Sequence, residues 1–407
     1  MSAAGNQSHP SSEQSVPEKQ STIDFLASHG GPFYELQRRM NLLQERALRT
    51  GRRALLFVGI AWFVPLLLTI PSLFSAAPTV TTYLSDPGAW AKFMIAIGAF
   101  VLAEQQVERG LRHKLRQFMR APLIAPAATK DAIIAVNRAL RQRDSRTAEI
   151  ACLALAVFAS VIAYANWEHV ATSSWTVTVT PDGNQVTLAG WWTIFVSLPL
   201  FVFLFFRGVW RHLVWALLLR RIAKLELRLV ATHPDGKGGL SFLAEYPNAY
   251  MFFVFGISAA IAAAFAKHLM QETLSTGTFT TMMGAWLVVV LAFFAHPLSA
   301  FSKPLAMLKE QSLLVLAAKA TTFQRAAERK AIGANVAANS AEEAAEPVEI
   351  VDLGKQYDTT RKLSAMLINR SAVLPVAAAA LLPFAVVGAT RLPYKEVFSV
   401  LKKLLLL

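Results

Sequence analysis

Seven predominantly apolar runs, each sixteen to twenty-four residues long, constrain this chain more than any other feature of its sequence. They fall at residues 54–77, 90–107, 148–167, 191–206, 250–266, 282–298 and 372–390. A helix rises about 1.5 Å per residue, so runs of this length match the roughly 30 Å hydrocarbon core of a bilayer. Lipid offers backbone N–H and C=O groups no partners, and such runs satisfy their own by becoming helices. The expected fold class is therefore all-α, a polytopic transmembrane helix bundle of six spans plus a seventh apolar segment. The balance of 54% apolar and 16% charged residues is that of a chain solvated by lipid.

The formal charge of +14 would suggest nucleic acid in a soluble protein, but its distribution says otherwise. Residues 1–53, 108–147, 207–248 and 299–370 hold 34 of the 40 Lys and Arg, whereas the three intervening loops hold only Lys267. Under the positive-inside rule the basic segments, the N-terminus among them, are cytoplasmic. The partner implied is the bilayer, through anionic lipid head groups worth about 1 kcal/mol per well-placed basic residue, and not nucleic acid. A homo-oligomer and a cytoplasmic protein partner are further expectations.

Taken in order, residues 1–22 read as a disordered tail and not as a signal peptide. Residues 23–53 read as a basic amphipathic helix leading into the membrane. The basic loop after the second span should form two short helices broken near Pro122 and Pro126. In the loop 168–190, Trp175, Val177 and Val179 alternate with threonines before Pro181-Asp182-Gly183-Asn184, which signals a small external β-hairpin, either a lid or partner-binding edge or a hairpin that merely closes the loop. The fourth helix should continue past its span to about Thr232. Residues 299–370 should carry a helix over 304–332, a flexible linker at 335–347 and an amphipathic helix returning to the bilayer. The last residues, 392–407, have the pattern of an interfacial helix. That helix is external if 372–390 crosses fully, but Lys402 and Lys403 favour a re-entrant hairpin with both ends inside.

Candidate chemistry is sparse. The turn His233, Pro234, Asp235, Gly236, Lys237, Gly238, Gly239 could gather backbone N–H groups into an anion- or ligand-binding nest, with Lys237 adding charge. It could equally be a chain reversal in which Asp235 caps the next helix. Its spacing matches neither a Walker loop nor a dinucleotide fingerprint. Glu104 and Glu108 share one helix face near the cytoplasmic boundary, at a depth comparable with Arg207 and Arg211. These four form either an intramembrane polar path or a structural ion pair. Lys92 is expected to snorkel. His212, His268 and His296 are scattered without metal-ligand spacing, Cys152 lies in an apolar run, and no cofactor or metal site is expected. A permeation or transport role leads, with a sensor or scaffold recruiting a cytoplasmic partner, a membrane-interface enzyme acting on a phosphate-bearing substrate, and an oligomeric structural protein as alternatives.

The stretches Ala189-Gly190-Trp191-Trp192, Val196-Ser197-Leu198-Pro199 and Thr232-His233-Pro234-Asp235 through Gly238-Gly239-Leu240-Ser241-Phe242-Leu243 resemble a family of bacterial polytopic membrane proteins of uncharacterised function. The resemblance is clearest over residues 180–243, and Ser241 stands where that family has glycine. It implies a bacterial inner membrane and carries no catalytic residue with it.

Overall fold

The computed structural model describes residues 27–43, 48–74, 79–166, 175–180, 183–268, 275–338, 353–390 and 392–406. The expected tail and most of the expected linker at 335–347 lie outside them. In chain order the helices are α1 (Pro32–Arg39), α2 (Thr50–Ser72), α3 (Pro87–Arg120), α4 (Thr129–Arg143) and α5 (Arg146–Ala165). Then come β1 (Val177–Thr180), β2 (Gly183–Val186), α6 (Leu188–Ile222), α7 (Met251–His268), α8 (Thr276–Ile332), α9 (Gly354–Arg361), α10 (Arg370–Ala389) and α11 (Tyr394–Leu406). Helices α2, α3, α5, α6, α7, α8 and α10 contain apolar segments of membrane-spanning length, and the chain is a multi-pass integral membrane protein.

Successive spans run antiparallel. Arg53 meets Glu104 while Trp62 meets Trp90, pairing α2 with α3; Glu149 meets Arg207 while Tyr164 meets Trp191, pairing α5 with α6. The ends of the bundle therefore differ. One, the basic end, carries the C-terminal part of α3, α4 and the extension of α8. The other carries the β-hairpin, whose register pairs Val177 with Val186 and Thr180 with Gly183. That register leaves Pro181 and Asp182, outside the described residues, between the strands.

Proline accounts for two local departures from α geometry. Pro65 and Pro199 cannot donate to the turn before them, and π-helical turns sit just upstream at Gly59–Phe63 and Thr193–Ser197, a usual way for a helix to absorb a lost bond. Small residues set the central contact: Gly256 on α7 lies against Ala96 and Ala99 of α3. Gly256, Ser258, Ala259, Ala260 and Ala262 to Ala264 give the fifth span a smooth surface, and Gly256 uses it for packing within the chain.

Several expectations are revised. The expected helix over 23–53 is divided: α1 starts only at Pro32, after Gly30 and Gly31 at φ values of 92° and 90°, and ends at Arg39, and the next helix begins at Thr50. Helix α6 stops at Ile222, not near Thr232. Residues beyond it run extended, with Arg228 N–H donating to the Leu123 carbonyl at 2.7 Å and Ala125 N–H to that of Glu226 at 3.1 Å. The returning amphipathic helix shrinks to Gly354–Arg361. At the far end α10 runs the length of a span beside α8, bringing Gly388 to Phe279. Helix α11 then folds back: Thr276 Oγ1 donates to Glu396, Leu404 packs at Gly284, and Arg370 donates to the Leu405 carbonyl at 3.3 Å. Its buried Val397, Val400 and Leu404 face those spans, so it is packed along the bundle instead of lying flat at an interface.

Candidate functional site

Glu104 and Glu108 stand one turn apart on α3, as Arg207 and Arg211 do on α6, so each pair presents one face. The structure brings the two pairs together. Glu104 Oε1 lies 2.5 Å from Arg207 and 3.3 Å from Arg211, and its Oε2 lies 2.6 Å from Arg53 of α2. Arg207 also reaches Glu149 of α5 at 3.2 Å. Three arginines and three glutamates make the group formally neutral, and five of the six are buried, with Glu104 at 10% side-chain exposure. Burial of that kind is tolerable only where every charge is matched and hydrogen-bonded.

A further contributor is the segment before α1. Ser28 N–H donates to Glu108 Oε2 at 2.5 Å, Ser28 Oγ to the Glu104 carbonyl at 2.7 Å, and Arg211 to the Ser28 carbonyl at 3.0 Å. Phe33 N–H donates to Glu149 at 2.7 Å, and the Phe33 ring lies 5.0 Å below the Arg207 guanidinium. Arg53, Glu149, Ser28 and Phe33 were not among the expected site residues. Their one sequence signal is a charge at the edge of an apolar run, as with Arg53 just before residue 54 and Glu149 just inside the third run. The cavity touching Glu104, Arg207 and Arg211 holds about 30 Å³, roughly the volume of one water.

The glycine turn is the second expected site. Asp235 accepts from the backbone N–H groups of Lys237 at 2.8 Å, Gly239 at 3.1 Å and Ser241 at 3.1 Å, with His233 Nδ1 2.8 Å from Oδ1. The N–H groups that would gather an external anion thus converge on the turn's own carboxylate. Burial works to raise the Asp235 pKa, but those three amides and His233 hold it below the usual carboxylate range. Lys237 donates to the Met366 carbonyl, and the Gly236 carbonyl accepts from Ser364 N–H at 3.0 Å. The turn therefore fastens residues 363–369 across the basic end. Gly238 and Gly239, at φ 65° and 94°, back onto Leu305 of α8 and Leu123; positive φ is costly for residues with a Cβ. Beside the turn a polar cavity of about 500 Å³ is lined by Asp235, Lys237, Ser241, Glu245, Asn248 and Asn369, among others.

Replacing Asp235 with Ala should cost about 2 kcal/mol, the scale of hydrogen bonds to a charged acceptor, read as a lower unfolding midpoint in detergent. A depressed folded pKa gives a contribution complete above the unfolded carboxyl value of about 3.9 and lost as pH falls through the folded value. The difference from wild type should accordingly vanish on acidification.

The histidines are held apart. His212 Nε2 lies 3.3 Å from the Phe293 carbonyl, and His296 accepts from Arg220 at 2.5 Å; the side chain of His268 lies outside the described residues. Cys152 is buried. Comparison of the chain with family models, curated proteins and solved structures finds no match.

Proposed function

We propose that this integral membrane protein is a membrane-anchored scaffold, in which the bundle holds a helical rod at the cytoplasmic face of a bacterial inner membrane for a protein partner to bind. The observation that carries this reading is the extension of α8. From Ser302 to Ile332 it continues the sixth span as helix for about 46 Å at 1.5 Å per residue, and no residue between 306 and 332 is buried. Leu314 and Val315 on it are 67% and 57% exposed. A contiguous apolar patch on a helix can serve as a docking surface, and Leu314 and Val315 would be among its most exposed members. Its base is braced by the strap of residues 363–369, where Lys309 donates to the Leu363 carbonyl at 2.9 Å, so the rod is presented at a fixed angle. The charge partition supports the assignment of that end to the cytoplasm.

Transport along Glu104 and Glu108 is the competing reading. It requires carboxylates free to exchange ions or protons, and these are engaged by arginines and by Ser28. The test of the scaffold is a photo-crosslinking residue placed at Leu314 or Val315 of the full-length protein in growing cells. The expected result is one discrete adduct with a second kind of polypeptide from both positions. Adducts confined to copies of this chain would turn the rod into an oligomerisation helix, and adducts with lipid alone would sink the scaffold.

A further inference from the structure

The hairpin end contains a chamber that neither the charge network nor the rod involves. It lies among α3, α5, α6 and α7 and has a volume of about 180 Å³. Its walls include Phe93, Ala163, Ile194, Leu198 and Ala263, while Trp175 and Val177 close it from the hairpin side. The closure is firmly seated. Trp175 is buried and donates through Nε1 to Asp86 Oδ2 at 2.8 Å, Thr187 N–H donates to the Thr176 carbonyl at 2.9 Å, and a Cβ on Gly190 would lie 2.4 Å from that carbonyl. Two lysines, Lys92 and Lys267, and one carboxylate, Asp86, line this largely apolar space, which leaves it a formal excess of one positive charge.

Lys92 is the telling residue. It sits five residues inside α3, half-buried, and its ammonium makes no hydrogen bond or ion pair of contact distance with any described residue. The nearby carboxylate of Asp86 is already engaged by Gly88 N–H at 2.7 Å and by Trp175. An ionisable group within a span and without a close partner marks a binding site more often than a structural accident, because its desolvation is compensated only when a counter-charge is supplied. Lys92, expected from the sequence to snorkel, lines the chamber under the hairpin.

We infer that this chamber binds the anionic head of a single-chain amphiphile, with Lys92 as counter-ion and the hairpin as lid. With two lysines and one carboxylate in the lining, the head supplies the second negative charge. The apolar walls suit the first methylenes of an acyl chain, and the volume falls below the roughly 300–1,000 Å³ of sites that enclose a whole drug-sized ligand, which leaves the rest of the chain to the bilayer. A carboxylate and a phosphate monoester share this chemistry.

The experiment is saturation binding of oleate and of a lysophosphatidic acid to the full-length protein in nanodiscs of zwitterionic lipid, compared with Lys92→Met and Lys92→Arg. The expected result is saturable binding of at least one probe, weakened at least tenfold in Lys92→Met and within threefold of wild type in Lys92→Arg. Which probe binds distinguishes the carboxylate from the phosphate source. Because Lys92→Met removes an ammonium from an apolar site, its unfolding temperature should equal or exceed that of wild type, so lost binding cannot be put down to misfolding. Equal binding by Lys92→Met, no saturable binding of either probe, or equal competition by a diacyl phosphatidylglycerol would overturn the inference.

Discussion

Glu104→Gln should lower the stability of the bundle by about 3–5 kcal/mol, the usual cost of removing one partner from a buried ion pair. Glu104 is the shared acceptor of Arg53, Arg207 and Arg211. Without its charge two glutamates face three guanidiniums, and the excess cation is left on arginines that are at most 8% exposed. The amide preserves the shape, so the loss reports charge and not packing. Ser28 keeps its bonds to Glu108 and to the Glu104 backbone carbonyl, but Arg211, which donates to its carbonyl, loses its own carboxylate partner, so limited proteolysis near residue 30 should accelerate modestly. Unfolding midpoints of wild type and variant in one detergent measure the first effect; the cleavage rate measures the second.

Gly256→Leu should cost about 3 kcal/mol, at the upper end of ordinary overpacking. A Cβ there would stand 3.1 Å from the Ala99 Cβ, 3.2 Å from the Ala96 Cα and 3.2 Å from the Phe100 ring. The ring can turn, but the Ala96 backbone cannot move without shifting α3. Everything beyond the Cβ of leucine would have to be accommodated by separating α3 from α7, which also carries the contact with α10. The checking measurement is the yield of monodisperse protein together with its unfolding temperature. A variant as stable as wild type would show that the two helices are not held at this distance.

These two residues also show where sequence reading succeeds and where it stops. Gly256 lies in a run of small residues whose use in close packing follows from composition, and the spans themselves follow from apolar length, because the bilayer imposes one dimension on every crossing. The hairpin is equally legible in the alternation of Val177 and Val179 with threonines. The membership of the charge network is only half legible. The i, i+4 spacings of Glu104 with Glu108 and Arg207 with Arg211 give two faces, but pairing them with Arg53 and Glu149 depends on which helices are neighbours, and that is set by packing across the whole bundle. The same limit explains α6. Leu225 and Leu229 continue a helical period past Ile222, yet the chain there hydrogen-bonds to Leu123 and Ala125, a partner a hundred residues away that outweighs local periodicity. Asp235 reads from the sequence as a capping group, and the geometry adds that it closes the very nest its glycines suggest.

We read the buried charges as a lock that holds the bundle, with the proposed recruitment left to the rod. The most direct test is a double-mutant cycle between Glu104 and Arg207, using Glu104→Gln, Arg207→Met and the pair together, with unfolding free energies read in one detergent. A lock predicts a coupling energy of about 2–3 kcal/mol, with the double variant more stable than the sum of the single losses allows. Additive losses would contradict it, because they would mean that the two charges stand near each other without holding anything together.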